Sequence, residues 1–439
     1  MKKCIKICSI MLMLIFLCGM FCSCKKEGMN IIVSGDGNNM LECNTASTDG
    51  ENVSTILSEA TQTSASNNLG SNSEKIYKSN YIWGDPIYGF ESEGDKSLVS
   101  GGRDNYNGSY YNIDGLWNIF MLSEIDSNHE NGEYSYNVHK NGFVEIVKVL
   151  SQKNEIVMPT EIDGKKVAYI GKNAFLNKNV KKIVLPNGIL AVGDSAFSEL
   201  EELEYVSLPE SLMVICEDAF YNCGKLKDVY FPENLRAIGE RAFQNCDSIE
   251  NVKFPNELAL VSSDAFSNCS NLKNVSFGKG ILGIGSGAFE RTAIVEVVIP
   301  DKVYSMSAGV FSGCVQLKEA VIPKTVGDKE NGFGWGMFMG CVNLETVNIP
   351  ENIIGLPSDI FRGCKLLKSI TIPASIESLG SDVFDGCTSL KDIYFESKDC
   401  TLYYNSFLFN TGLTVHAPRG GSVEKFFRFR PLVKFDPTD

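Results

Sequence analysis

Leu226-Lys227-Asp228-Val229-Tyr230-Phe231-Pro232-Glu233-Asn234-Leu235-Arg236-Ala237-Ile238-Gly239-Glu240-Arg241-Ala242-Phe243-Gln244-Asn245-Cys246 holds the pattern that decides how this chain folds. Leu226, Val229 and Phe231 are spaced to point inward from a short strand, with Asp228 and Tyr230 pointing outward. Pro232 has no N–H to continue a ladder and closes the strand. Leu235 and Ile238 return the chain inward on the far side, Gly239 allows a tight bend, and Ala242-Phe243 fill the centre. The phenylalanine comes back at Phe175, Phe197, Phe220, Phe243, Phe266, Phe289, Phe311, Phe338, Phe361, Phe384 and Phe407, at a nearly constant step that lengthens once, between Phe311 and Phe338. The proline comes back at Pro186, Pro209, Pro232, Pro255, Pro300, Pro323, Pro350 and Pro373. A period of 20–29 residues marks a solenoid, in which no unit can bury its apolar face alone. The expected fold is therefore a β-rich solenoid over residues 159–407 with a parallel strand ladder. About ten or eleven units stacked roughly 4.8 Å apart give a ladder of about 50 Å.

The ends of such a stack need covers. Tyr134, Tyr136 and Val138 alternate, Asn141-Gly142 interrupts, and Val144, Ile146 and Lys148 alternate again. Alternation about an Asn-Gly pair predicts a β-hairpin, placed here as an N-terminal cap over 133–158. Residues 408–439 are assigned to a C-terminal cap. Within the repeats, Asn or Gly precedes a cysteine seven times, from Asn222-Cys223 to Gly386-Cys387. Both residue types tolerate a left-handed backbone, so a turn with positive φ is expected there. Glu199 and Arg291 replace them in the two units that also lack the cysteine.

With Leu-x-x-Val-x-Phe-Pro, Ile-Gly, Ala-Phe and Asn-Cys as quoted, the unit resembles the leucine-rich repeats of the BspA-like family of bacterial surface proteins. The resemblance covers about residues 133–407. The hairpin is similar to the family's entry segment, and Gly420-Gly421-Ser422 to Phe427 to its exit segment. It implies a leucine-rich repeat stack in a surface protein of adhesion or recognition, with host matrix proteins among the partners of some members.

Upstream, Lys2, Lys3 and Lys6 precede an apolar run from Ile7 to Cys22, too short for a comfortable membrane span. Phe21-Cys22-Ser23-Cys24 resembles a bacterial lipoprotein signal, with Phe21 departing from the usual Leu or Val. By that resemblance residues 1–23 are removed, Cys24 becomes the lipidated first residue, and the remainder is exported to the cell surface or envelope on a membrane anchor. Losing 1–23 removes three Lys and no acid, leaving 37 basic against 54 acidic side chains, a net charge of −17. That balance opposes nucleic acid and anionic lipid as partners. Residues 25–76 contain no aromatic, and Ser, Thr and Asn make up more than half of 44–73. Such a stretch cannot offset its ordering entropy, so 24–76 is expected to be a disordered tether. Residues 77–132 differ: ten aromatics lie between 77 and 120 among many Gly and Asn, in a segment of unassigned fold that either precedes the cap or packs along the solenoid.

Chemistry is sparse. Fifteen cysteines look rich, but five of them lie between Cys4 and Cys24, and seven form a column at Cys223, Cys246, Cys269, Cys314, Cys341, Cys364 and Cys387. No Cys-x-x-Cys pair falls in the repeats and the three His lie outside the column, which argues against a metal. An odd number of thiols on one inward row argues against disulfides. Buried thiols serving as small apolar side chains are expected. Neither a His-Glu-x-x-His motif nor a phosphate-cradling loop occurs, and Gly283-x-Gly285-x-x-Ala288 falls inside the repeat frame. No catalytic residue, metal or cofactor is expected. Two surfaces are candidates for an extracellular protein or glycan. One is the insertion between Pro323 and Phe338, which carries Phe333 and Trp335; insertions in solenoids map to loops on one face. Glycines on both sides would let Trp335 project, the alternative being that both rings fold back to cover the core. The other is the outward strand face with Tyr205, Tyr230 and Tyr394 among mixed polar residues, a composition suited to recognition. A structural role in the envelope, or an enzyme built on 77–132, are the alternatives.

Overall fold

The computed structural model describes residues 124–326, 334–407 and 410–438. The expected signal over 1–23, Cys24, the expected tether over 24–76 and Phe333 lie outside the described residues, as does most of 77–132. The rest is a leucine-rich repeat β-solenoid with two strand rows per turn. The first row follows the pattern of Leu226 to Phe231 and the second that of Ala237-Ile238.

The hairpin forms at its Asn-Gly pair. Strands β2 (Tyr134–His139) and β3 (Val144–Val149) are antiparallel, and Tyr134, Tyr136, Val138, Val144 and Ile146 are buried. A third strand, β1 (Ile125–Glu130), adds to the free edge of β2. It falls inside the segment left unassigned by the sequence reading, because Ile125-Asp126-Ser127-Asn128-His129-Glu130 has no apolar alternation and both its faces stay largely exposed. β3 pairs in parallel with Lys165–Ile170, so the cap continues directly into the second row.

That second row is the continuous ladder. Lys165–Ile170, Ala191–Val192, Val214–Ile215, Ala237–Ile238, Leu260–Val261, Gly283–Ile284 and Ser305–Met306 pair in parallel within one 11-stranded sheet. The first row, which the sequence pattern marks as the ladder, is instead divided into short sheets. Glu155–Val157, Lys182–Val184 and Tyr205–Ser207 make one, and Asn251–Lys253 with Asn274–Ser276 another. Between them, no strand forms at 228–230 although Val229 and Phe231 are buried as the pattern requires. On the side of the next repeat the Asp228 carboxylate interrupts the ladder: its Oδ1 accepts the backbone N–H groups of Glu250 and Asn251, both at 3.0 Å, in the place of a backbone carbonyl. At the far end Ser369–Ile372, Asp392–Phe395, Leu413–Ala417 and Val433–Pro437 extend the first row in parallel, and helix α1 (Ser422–Phe427) lies across the end.

The phenylalanine column is the axis of the core. All of Phe175 to Phe407 are buried, and successive rings stand 4.8 to 5.9 Å apart. From Phe220 to Phe384 neighbouring planes lie within about 11° of parallel, an offset stack favoured by the ring quadrupoles. Phe427 of α1 closes the column edge-on against Phe407 at 5.1 Å.

The residue before each column cysteine has positive φ, as in Asn222 (59°), Asn245 (62°) and Gly363 (76°). Glu199 (φ 60°) and Arg291 (φ 56°) adopt the same conformation, so the turn persists where the sequence lacks the residue that favours it. A left-handed conformation costs a side-chain-bearing residue about 1–2 kcal/mol, and glycine returns roughly 0.5–1 kcal/mol of that as chain entropy. Glu199→Gly should therefore raise stability by about 0.5–1 kcal/mol, read as a higher denaturant midpoint. A second left-handed column precedes each Ala-Phe, at Asn173, Ser195, Asp218, Arg241 and Asp264 among others. The sequence reading missed it, although Asn, Asp, Ser or Gly fills the position in every unit but that of Arg241.

Candidate functional site

The first row carries the tyrosines. Its outward side chains stand on strands whose inward partners, such as Val206, Val252 and Ile393, are locked in the core. A rigid backbone thus holds an exposed row. Tyr205 is 50% exposed, Tyr230 66% and Tyr394 42%. Tyr230 and Tyr394 share one outward column, seven repeats apart, or about 34 Å. Tyr205 stands in the other column, one repeat before Tyr230. The same face exposes Val157, Val298 and Val321, which the sequence reading passed over because Val297-Val298 and Ala320-Val321 do not show which residue faces out.

Between the tyrosines run polar side chains bonded from repeat to repeat. Asn251 Nδ2 donates to Asp228 Oδ2 at 2.9 Å, and Asn274 Nδ2 donates to Asn251 Oδ1 at 2.7 Å. Burial pushes the Asp228 carboxyl up, but the bonds from Asn251 and Glu250 outweigh it and hold the group below its ordinary range. Where the ladder opens at Asp228, a shallow groove of about 440 Å³ forms, lined by residues 228–230, 251–253 and 274–276. Tyr230 and Lys253 are among its lining residues. At the N-terminal side Lys182 Nζ lies 5.6 Å from the Tyr205 ring centre, and at the C-terminal side Tyr394 stacks on His416 at 4.4 Å. His416 is itself held between Asp392 (2.9 Å) and Asp436 (3.2 Å). The arrangement offers flat aromatic surfaces, a carboxylate, an ammonium and amide groups, the means of non-covalent recognition.

Trp335 is elsewhere. Its backbone carbonyl accepts the Gly309 N–H at 2.9 Å, which places it in the turn column of Glu217, Glu240 and Ser263, after the second row. The ring is 51% exposed and does not fill the core. Its flanking glycines have repeat duties: a Cβ on Gly334 would come within 2.1 Å of the Ser307 backbone, and Gly336 has φ +62°. Trp335 is thus not brought together with the three tyrosines.

Beside that turn column, in the left-handed column, Arg241 donates to Asp218 at 2.8 and 2.9 Å and also contacts Glu217 and Glu240. Asp264, half-buried beside Glu290 and Glu240, is pushed up to about 6, first by burial and then by those two acids. A carboxyl raised in the folded state from 3.8 adds stability that is whole below about 4 and is lost as pH rises through 6. Asp264→Asn keeps a residue tolerant of its φ of 53° and removes the charge. Discounted for solvent screening, it should stabilise by about 1–2 kcal/mol at pH 8 and by nothing at pH 4, measured by denaturant titration at both.

The nine cysteines among the described residues form no disulfide and all are buried. In the column each thiol donates to the carbonyl of the phenylalanine one repeat earlier, as from Cys223 to Phe197 (3.1 Å) and Cys269 to Phe243 (3.1 Å). A small side chain that also satisfies a buried carbonyl explains why cysteine fills the position. Burial pushes Cys223, Cys269 and Cys387 up to about 12, so these thiols are neither nucleophiles nor ready metal ligands at neutral pH. Among the described residues no group of three His, Cys, Asp or Glu is placed to hold a metal ion, and no helix is long and apolar enough to cross a membrane.

The family model for the BspA type leucine-rich repeat region, spanning six copies, matches residues 168–293, 237–332 and 283–414. The chain belongs to the BspA-type leucine-rich repeat family. Those matched BspA-type repeats contain both strand rows, the phenylalanine column and all three tyrosines. No curated protein matches the chain. Among solved structures, a leucine rich cell surface protein from Faecalibacterium prausnitzii A2-165 is 20% identical over 69% of this chain and 97% of its own, with a TM-score of 0.43. A leucine-rich repeat protein from Bacteroides ovatus ATCC 8483 is 21% identical over 71% and 100%, with a TM-score of 0.41. The pneumococcal vaccine antigen PcpA is 14% identical over 72% and 100%, with a TM-score of 0.47.

Proposed function

We propose that this is a non-catalytic binding protein of the cell surface or envelope, anchored through lipid on Cys24, which presents its first strand row to an extracellular protein or glycan. The observation that carries this reading is the row itself: half-exposed Tyr205, Tyr230 and Tyr394 with exposed valines, on a backbone fixed by a core of stacked rings. Large aromatics held rigid lose little entropy on binding and commonly dominate interface energy. No cofactor enters this function, and the acidic chain takes no nucleic acid. Trp335 is a second candidate contact on a separate surface, and Phe333, two residues earlier in the sequence, is proposed with it.

The test immobilises residues 25–439 and offers a panel of matrix proteins and glycans. Saturable binding that Tyr205→Ala/Tyr230→Ala weakens at least tenfold, with Trp335→Ala within twofold of wild type, is the expected result. Loss through Trp335→Ala alone would move the site to the turn column. Silence across the panel, with concentration-dependent oligomers, would favour an envelope-structural role instead.

A further inference from the structure

The outward side of the second row behaves unlike that of the first. Strand alternation sends Ile170, Val192, Ile215, Ile238 and Val261 into the main core, and their neighbours to the opposite face. There Tyr169, Leu190, Met213, Val214, Cys216 and Leu260 belong to a separate apolar cluster, none more than 8% exposed. A bare sheet face would leave such side chains as open as the first-row tyrosines. The same columns further along the chain are open: Ile354 is 42% exposed, and Gly355 and Ser378 are half-buried. The buried stretch runs from Lys165–Ile170 to Ser305–Met306, six strand steps or about 29 Å.

We propose that residues 77–120 of this same chain dock on the outward face of the second row and form its cover. Three observations select this occupant. Residues 25–76 carry no aromatic and 327–333 number only seven, whereas 77–120 carry ten aromatics, the apolar area the face calls for. The segment leads through residues 121–124 into β1, the edge strand of the 11-stranded sheet to which the face belongs, so it arrives at the rim of that face. Fully extended, it could reach about 145 Å, several times the length to be covered. At the rim, Phe143 and His139 stand edge-on to Tyr169 at 6.3 and 5.9 Å, and His139 bonds Glu145 at 3.2 Å, extending the cluster toward the incoming chain. The inference does not depend on what the first row binds. It would make the aromatic segment part of the solenoid and leave the first row as the open strand face.

Hydrogen exchange and native thiol labelling on the full chain in mild detergent test it, both read by peptide mapping. In the wild type, amides of 77–120 should exchange at least a hundredfold more slowly than an unstructured peptide, and Cys216 should resist maleimide. In Trp83→Ser/Trp117→Ser, both protections should fall at least tenfold while the column thiols and repeat amides keep theirs. Val214→Arg should release the segment equally; should it unfold the repeats, the tryptophan variant alone decides. Rapid exchange of 77–120 in the wild type would overturn the proposal. So would protection of 77–120 that survives Val214→Arg in folded repeats, or protection of Cys216 that appears only at high protein concentration, the sign of a second copy.

Discussion

Phe243→Ala should destabilise the protein by about 3–5 kcal/mol, the cost of a cavity at the centre of a packed core. Phe243 is fully buried, stacked on Phe220 at 4.8 Å and Phe266 at 5.1 Å, and met edge-on by Phe231 at 5.4 Å. Each such ring pair adds about 0.5–1.5 kcal/mol beyond the area it buries, so the loss should sit at the upper part of the range. In a stack where each repeat touches only its neighbours, the damage should be local. Amides of the units centred on Phe220, Phe243 and Phe266 should lose protection most. A variant melting within a degree of wild type would contradict the column as the axis of the core.

The second large effect lies at high pH. Burial raises Cys223, Cys269 and Cys387 from 9.0 to about 12 and Cys314 to about 11. Because the folded value exceeds the unfolded one, the stabilisation is complete below about pH 9 and is lost as pH rises through 11–12. Over that window the unfolded chain binds fewer protons, and each buried thiol costs about 1.4 kcal/mol per pH unit. The seven column thiols opening together would remove several kcal/mol per unit. Cys269→Ala isolates one of them. At pH 7 it should cost about 2 kcal/mol, for the lost bond to Phe243 and the small cavity left by the sulfur, and that cost should shrink by about 1.4 kcal/mol per pH unit above pH 9. A difference that stays constant with pH would show that the thiol ionises freely in the folded state.

The repeat was legible because the physics that imposes it acts at every turn. Phe243, Pro232 and Ile238 each answer a demand met again one turn further along the stack, so one unit confirms another. Features made by a single side chain were not legible in this way. Asp228 looks like any outward polar residue, yet its carboxylate takes the place of a backbone acceptor and opens the first row. The apolar outward face of Tyr169, Leu190, Met213 and Leu260 was hidden because inward Ile and Val alternate with it, and a strand apolar on both faces shows no period. The glycines around Trp335 looked like a device for projecting the ring, but repeat packing and a left-handed turn require them. For the candidate site, the three tyrosines could be assigned to the outward row from strand alternation alone. The valines beside them and the separation of Trp335 needed the register of the stack.

Hydroxyl-radical footprinting of the chain, alone and with a saturating partner from the binding panel, addresses the recognition face most directly. Oxidation of Tyr205 and Tyr230 should slow at least threefold in the complex, with Trp335 unchanged. Equal oxidation of both tyrosines in the free and bound states, with protection anywhere else, would contradict the first row as the binding face.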